Sequence, residues 1–305
     1  MKCLLVTGAS GLLGLHLALQ EAENFEVYGV VNHQRLVNTP FQIIQSDLSA
    51  SGEVRKIIDQ VRPDILVHCA AMANIDECEK NPALAEAVNG DLPGRLAGEA
   101  KKLGFQFVQI STDAVFDGVK GLYRETDLPN PLSVYAATKL KGEQAVLSEN
   151  LQAIIARVNF YGWSLNGKRS LAEWFYNNLK AKNQVNGFTD VIFCPFMVTD
   201  LCEILMKMVQ AKLSGLYHVV NPECISKYEF GRSIANLFGF DTNLITPISV
   251  EQGGLAARRS PRLTLLSDKL KQDLKIDLPG QEIGLNHFYN LERVNYPAML
   301  RELAG

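Results

Sequence analysis

The sequence predicts an α/β fold: a doubly wound parallel (Rossmann) sheet with a smaller C-terminal α/β substrate lobe. Three observations carry this. Short apolar or β-branched runs alternate with helical patterns through the first half of the chain. Three glycines, Gly8, Gly11 and Gly14, stand where the first strand gives way to the first helix. The chain is 305 residues long, 47% hydrophobic and 21% charged, which is room for one large or two unequal lobes and ordinary for a globular protein.

The elements follow in order. Residues 2–7 (KCLLVT) read as a strand, 11–22 as a helix and 26–31 (EVYGVV) as a strand. Residues 41–45 are a weaker strand and 50–60 a helix. The run 64–69 (DILVHC) is a buried strand, 82–103 a long helix and 105–111 (FQFVQIS) a strand. A helix over about 133–149 and a strand over 153–159 complete the βαβ rhythm, and right-handed crossovers then make the sheet doubly wound. Beyond residue 160 the rhythm loosens. Residues 162–169 (GWSLNGKR) read as a loop, and 170–182, 199–212 and 226–239 as helices. The division is a dinucleotide-binding domain over 1–160 and a substrate lobe over 161–305, with segments near 188–195 and 215–221 expected to return to the main domain.

Composition narrows the partners. Thirty Lys plus Arg against 33 Asp plus Glu leave a net charge of -3, with no electrostatic footprint for nucleic acid or an anionic membrane. No apolar stretch reaches the roughly 18–20 residues of a membrane span, and the glycines in MKCLLVTGASGLLG argue against a signal peptide. The expectation is a cytoplasmic protein. Six cysteines at 3, 69, 78, 194, 202 and 224 show no C-x-x-C and read as buried thiols in a reducing compartment. No histidine shows ligand spacing to another or to cysteine, so no metal site is expected.

The glycine triplet carries the first chemistry. Phosphate binding needs a tight turn, a backbone free of Cβ atoms and a helix N-terminus. Gly8, Ser10, Gly11, Leu12, Leu13 and Gly14 are therefore candidate cofactor contacts. At the end of the second strand, Asn32-His33-Gln34-Arg35 holds no acid. Repulsion of a 2′-phosphate is missing, and His33 or Arg35 has the charge to pair with one. NADPH is favoured over NADH, a solvated loop charge being the alternative for Arg35. Asp47, with Leu48 beside it, is a candidate for the adenine amino group or a plain helix N-cap.

Tyr135-x-x-x-Lys139 puts a phenol and an ammonium on one helical face. A nearby ammonium lowers a tyrosine pKa from its usual ~10, which suits proton transfer. The spacing recurs at Tyr176-x-x-x-Lys180, which lacks an upstream partner and reads as core or surface. Tyr135 has such a partner in Ser111-Thr112-Asp113, at the carboxyl end of strand 105–111, where a hydroxyl can orient a substrate carbonyl.

These pieces together resemble an extended short-chain dehydrogenase/reductase, and within it the dTDP-4-dehydrorhamnose reductase family of sugar-nucleotide reductases. TGASGLLG at 7–14, HCAAMANIDECEKNPALAEAVN at 68–89, STDAVFDG at 111–118 and PLSVYAATKLKGE at 131–143 carry the resemblance. GLYHVVNPECISKYEFG at 215–231 and RSPRLTLLSDKL at 259–270 extend it over nearly the whole chain. The resemblance implies that Thr112 orients the carbonyl, Tyr135 is the general acid, Lys139 holds the nicotinamide ribose and Asp113 assists. It further implies that Cys69, Ala70 and Ala71 pass the cofactor's diphosphate and ribose, and that Phe160 lies beside the sugar. The implied reaction is hydride transfer from NADPH to the C4 carbonyl of a nucleotide-linked 4-keto-6-deoxysugar.

Departures from the family fall at Ala114, commonly tyrosine, at Phe160, commonly tryptophan, and at Phe196, commonly threonine. All three are expected on the sugar side. The basic cluster Arg258, Arg259 and Arg262 suits a nucleotide diphosphate, or is a solvated loop. The branch also resembles, over its length, the regulatory beta subunit of methionine adenosyltransferase, a cofactor-binding protein that serves a partner enzyme. A nucleotide-sugar epimerase or dehydratase is a further alternative. The partner expected is a nucleotide sugar, and a homodimer is compatible with the sequence.

Overall fold

Seven short apolar runs pair in parallel into one sheet. In the computed structural model, which describes residues 1–253 and 261–305, these are β1 (Cys3–Thr7), β2 (Glu26–Val31), β3 (Gln42–Gln45), β4 (Ile65–His68), β5 (Gln106–Thr112), β6 (Ile154–Val158) and the strand Gly215–Val219. Their order across the sheet is Gly215–Val219, β6, β5, β4, β1, β2, β3. Every residue of β1, β4 and β6 is buried, as expected where helices cover both faces of a parallel sheet. Alternation divides them: Leu4 and Val6 enter one core cluster, Cys3 and Leu5 the other.

The strand order reverses between β1 and β4. A crevice opens there, at the carboxyl ends of the strands. Gly8 turns the chain out of β1 with φ of +67°, and a Cβ on it would lie 2.7 Å from the Ala70 nitrogen at the end of β4. Only glycine meets both demands. Helix α1 (Leu12–Glu21) starts from Gly11, which offers no side-chain cap. Thr7 Oγ1 lies 2.6 Å from His68 Nδ1 and accepts from the Ala70 nitrogen at 3.2 Å, so the ends of β1 and β4 are tied together.

The helix expected over 82–103 is three pieces: Pro82–Ala85, a π-helical turn Glu86–Asp91 and the helix Leu92–Leu103. Pro93 has no N–H to return to the Asn89 carbonyl, and Gly142 packs against that same carbonyl. A further helix, Ile75–Lys80, is capped by Asn74, whose side chain accepts from the Glu77 nitrogen. Helix Val134–Glu149, capped by Ser133, carries Tyr135 and Lys139 to the carboxyl end of β5.

In the second half, helices Leu171–Lys180, Val198–Gln210 and Lys227–Phe238 form near the expected places. The strand Gly215–Val219 is the outer strand of the large sheet, pairing with β6. The expectation for 188–195 is corrected: Ile192–Phe193 joins a separate three-stranded sheet with Ile225–Ser226 and Arg262–Leu263. The cysteine reading is corrected too. Cys194 and Cys224 form a disulfide; Cys3, Cys69, Cys78 and Cys202 are free. The antiparallel pairing of Phe193 with Ile225 sets the next residues, Cys194 and Cys224, opposite each other.

Candidate active site

A cleft of about 310 Å³ lies along the crevice. The glycine turn supplies Gly8, Ser10 and Gly11 to its wall, β2 and its loop supply Asn32 and His33, and the segment after β3 supplies Asp47 and Leu48. Cys69, Ala70 and Ala71 close it from the end of β4. These are ten of the residues expected to hold a dinucleotide. Leu12, Leu13 and Gly14 are not on its wall: Leu13 is buried in the core and Gly14 packs on the Gly8 carbonyl. Arg35 does not line it either. Its backbone accepts from the Gly305 nitrogen and its side chain is exposed, so the loop-charge alternative describes it better. Asp47 caps no helix; it accepts from the backbone and hydroxyl of Ser49, which hold its carboxyl below the usual range, while α2 (Glu53–Val61) begins from Gly52.

The second group of residues gathers at the end of β5. Thr112 donates to Asp113 Oδ1 at 3.1 Å, and Asn159 donates to the other Asp113 oxygen. Burial raises Asp113 to about 6. Beneath them, Ser111 donates to Glu143, which forms a buried ion pair with Arg157 at 2.7 Å. Lys139 is buried and donates from Nζ to the Ile110 carbonyl at 2.6 Å. Burial lowers it to about 8, against the pull of Glu143. The expected lowering of Tyr135 is corrected. Burial pushes the phenol up to about 12, a hydrogen bond with Thr112 opposes this, and the Asp113 charge adds to it. The ammonium is turned to a backbone carbonyl, so it does not set the phenol's direction.

Beside Asp113 a smaller pocket of about 160 Å³ is lined by Ala114, Ser133, Asn159, Lys227 and the apolar side chains of Val191, Phe193 and Leu263. Of the three departures, Ala114 lines it. Phe196 is fully buried in the core, a correction to its expected place, and pairs with the half-buried Phe160. Arg262 is exposed on the short strand Arg262–Leu263 that flanks the pocket. Arg258 and Arg259 lie outside the described residues. Tyr176 donates to Glu292 and packs edge-on to Trp163 and Phe238, in the core of the second half. Three residues that line these two pockets carried no signal used in the sequence reading: Asn159, Lys227 and Arg169. Arg169 lines the dinucleotide cleft from a segment read only as loop, where the pair Lys168-Arg169 before a helix was the available signal. Among the described residues no cluster of three or more His, Cys, Asp or Glu is placed to hold a metal, and no helix is long and apolar enough to cross a membrane.

The family description "RmlD substrate binding domain" matches residues 1–294. The chain belongs to the RmlD substrate-binding domain family. Among members of the family and its relatives, a probable low-salt glycan biosynthesis reductase of Haloferax volcanii is 33% identical over 286 residues, covering 92% of this chain and 95% of that protein. The beta subunit of methionine adenosyltransferase 2 of Bos taurus is 33% identical over 252 residues, covering 80% and 75%. The crystal structure of dTDP-4-dehydrorhamnose reductase from Bacillus anthracis in complex with NADP superposes with a TM-score of 0.84 at 28% identity, over 95% of this chain and 99% of that one. Membership in the RmlD family agrees with the parallel sheet and with the position of the cleft at its switch point.

Proposed function

We propose that this chain is an NADPH-dependent reductase acting on the C4 carbonyl of a nucleotide-linked 4-keto-6-deoxysugar, NADH being the second-choice cofactor. The observation that carries it is the meeting of Thr112, Asp113, Tyr135 and Lys139 at the carboxyl end of β5. The cradle fits a dinucleotide: Gly8 and Gly11 line the cleft without side chains, and α1 begins beside it from Gly11 with no side-chain cap. The homologous reductase solved with NADP supports the cofactor class. The loop after β2, Asn32-His33-Gln34-Arg35, carries no acid of its own, which favours the 2′-phosphorylated form, while Asp47 faces His33 from the same wall.

Bound NADPH supplies the hydride. Gly8, Ser10 and Gly11 bind the diphosphate, and Asn32, His33, Asp47 and Leu48 surround the adenosine end. Thr112 orients the C4 carbonyl, Tyr135 donates the proton to its oxygen, and Lys139 holds the ribose. A raised phenol pKa suits this direction, because the donor carries its proton throughout the neutral range. The sugar occupies the pocket beside Ala114, with Phe160, Arg258, Arg259 and Arg262 as candidate contacts for sugar and nucleotide. Mixing the protein with NADPH and the keto-sugar nucleotide, and following absorbance of the reduced cofactor, tests this. Tyr135→Phe is expected to cut turnover by at least ~100-fold, the usual scale for a general acid; unchanged turnover overturns the assignment.

The likeness to methionine adenosyltransferase beta subunits supports a second reading, an NADP-binding regulatory subunit. Its signature is tight NADPH binding with no oxidation by any keto-sugar nucleotide, together with co-purification with a larger enzyme.

A further inference from the structure

We propose that Arg169 is a clamp on the diphosphate of the dinucleotide, reaching over the glycine turn from the second half of the chain; this rests on the cofactor reading above. Arg169 lies in the loop before helix Leu171–Lys180. Its Nη1 donates to the Ser10 carbonyl at 3.0 Å, across 159 positions of sequence. That bond occupies one of five guanidinium N–H donors. A Cβ on Gly11 would lie 3.9 Å from the same nitrogen, so the guanidinium stands at the start of α1. Among the described residues no carboxylate pairs with it.

The loop fixes where this side chain begins. Glu173 is fully buried. Its carboxylate accepts from the backbone nitrogens of Ser164, Arg169 and Ser170 and from the Ser164 hydroxyl. Ser170 Oγ accepts in turn from the Glu173 nitrogen, closing a capping box. An exposed cationic head therefore extends from a pinned backbone. It lines the cleft beside Gly11, next to the N-terminus of α1. A diphosphate there meets charge-assisted bonds from the arginine and the partial positive charge of the helix end. The two halves of the chain thus both hold the cofactor, which makes Arg169 a positioning residue for it.

Isothermal titration of the full chain with NADPH, ADP and adenosine 2′-phosphate tests the clamp. Arg169→Ala is expected to weaken NADPH and ADP roughly tenfold, the lower end for a charge-assisted bond at an exposed site. Adenosine 2′-phosphate, which lacks a diphosphate, is expected to bind within about twofold of wild type, and Arg169→Lys to fall between. The thermal midpoint should not move, because the side chain is exposed. Unchanged NADPH affinity in Arg169→Ala overturns the clamp, as does equal weakening of all three ligands, which would mark a merely structural role. Failure of the wild-type chain to bind NADPH removes the cofactor reading, and the clamp with it.

Discussion

Burial drives Tyr135 and Lys139 in opposite directions, each towards its neutral form: the phenol to about 12 and the ammonium to about 8. The alkaline limit of the proposed reduction then belongs to the lysine. As pH rises through 8 the ammonium loses its proton and its grip on the ribose, while the phenol keeps the proton it must donate. We expect kcat/KM to fall about tenfold per pH unit above pH 8. Lys139→Arg, whose charge persists, should move that limb upward even at a lower rate; a limb that stays in place would assign it to another group. Thr112, Tyr135 and Lys139 were legible because each sits at a recognisable register, one at a strand end and two at helical spacing. Arg169 was not, since its partner Ser10 is 159 positions away and no local pattern links them. The direction of the Tyr135 shift was illegible for a related reason: spacing places the ammonium near the phenol but does not say that Nζ turns to Ile110.

Helix Val134–Glu149 holds those side chains only because it approaches its neighbours closely. Gly142 lies against the Asn89 carbonyl, and a Cβ on Gly94 would lie 2.9 Å from that of Ala145. Gly142→Ala drives a methyl into backbone, which cannot rotate away. We expect a loss of about 1–3 kcal/mol, the range for overpacking, and a fall in turnover larger than the stability loss explains, because the helix that carries Tyr135 must shift. Urea unfolding and turnover measured on one preparation check this; a variant with wild-type stability would refute the close-approach account. Strand and helix positions of the first half were readable from period, since each element buries its own face locally. The π-helical turn at Glu86–Asp91 was not, because its cause joins Pro93 to a glycine on another helix. The Cys194–Cys224 bond was hidden for the same reason, since only the pairing of Phe193 with Ile225 brings the two together.

Across the whole molecule, the parallel sheet is the part that periodicity determines, and the substrate side is the part that it does not. The small sheet of Ile192–Phe193, Ile225–Ser226 and Arg262–Leu263 draws two-residue strands from three distant segments, too short for any period. Packing both faces of the large sheet also buries histidines as neutral groups. His16 is lowered to about 4, His68 to about 3 and His218 to about 3, in each case chiefly by burial. Unfolded, each titrates near ~6.5, so between these values the unfolded chain binds protons that the native chain does not. Their contribution to stability is complete above pH 6.5 and is lost as pH falls towards 3–4. Asp113 acts in the opposite sense. Raised to about 6, it keeps its proton in the native state, and its contribution is lost as pH rises through 6. Burial raises the Asp200 carboxyl as well; the three histidines outweigh these two carboxylates, so near pH 5 stability rises with pH. The protein should therefore unfold at lower urea at pH 5 than at pH 7. His16→Leu, which replaces a buried imidazole in an apolar surround, should remove about one proton from that slope. Equal pH 5 to pH 7 differences for wild type and His16→Leu would show that His16 titrates alike in both states and that the acid sensitivity lies elsewhere.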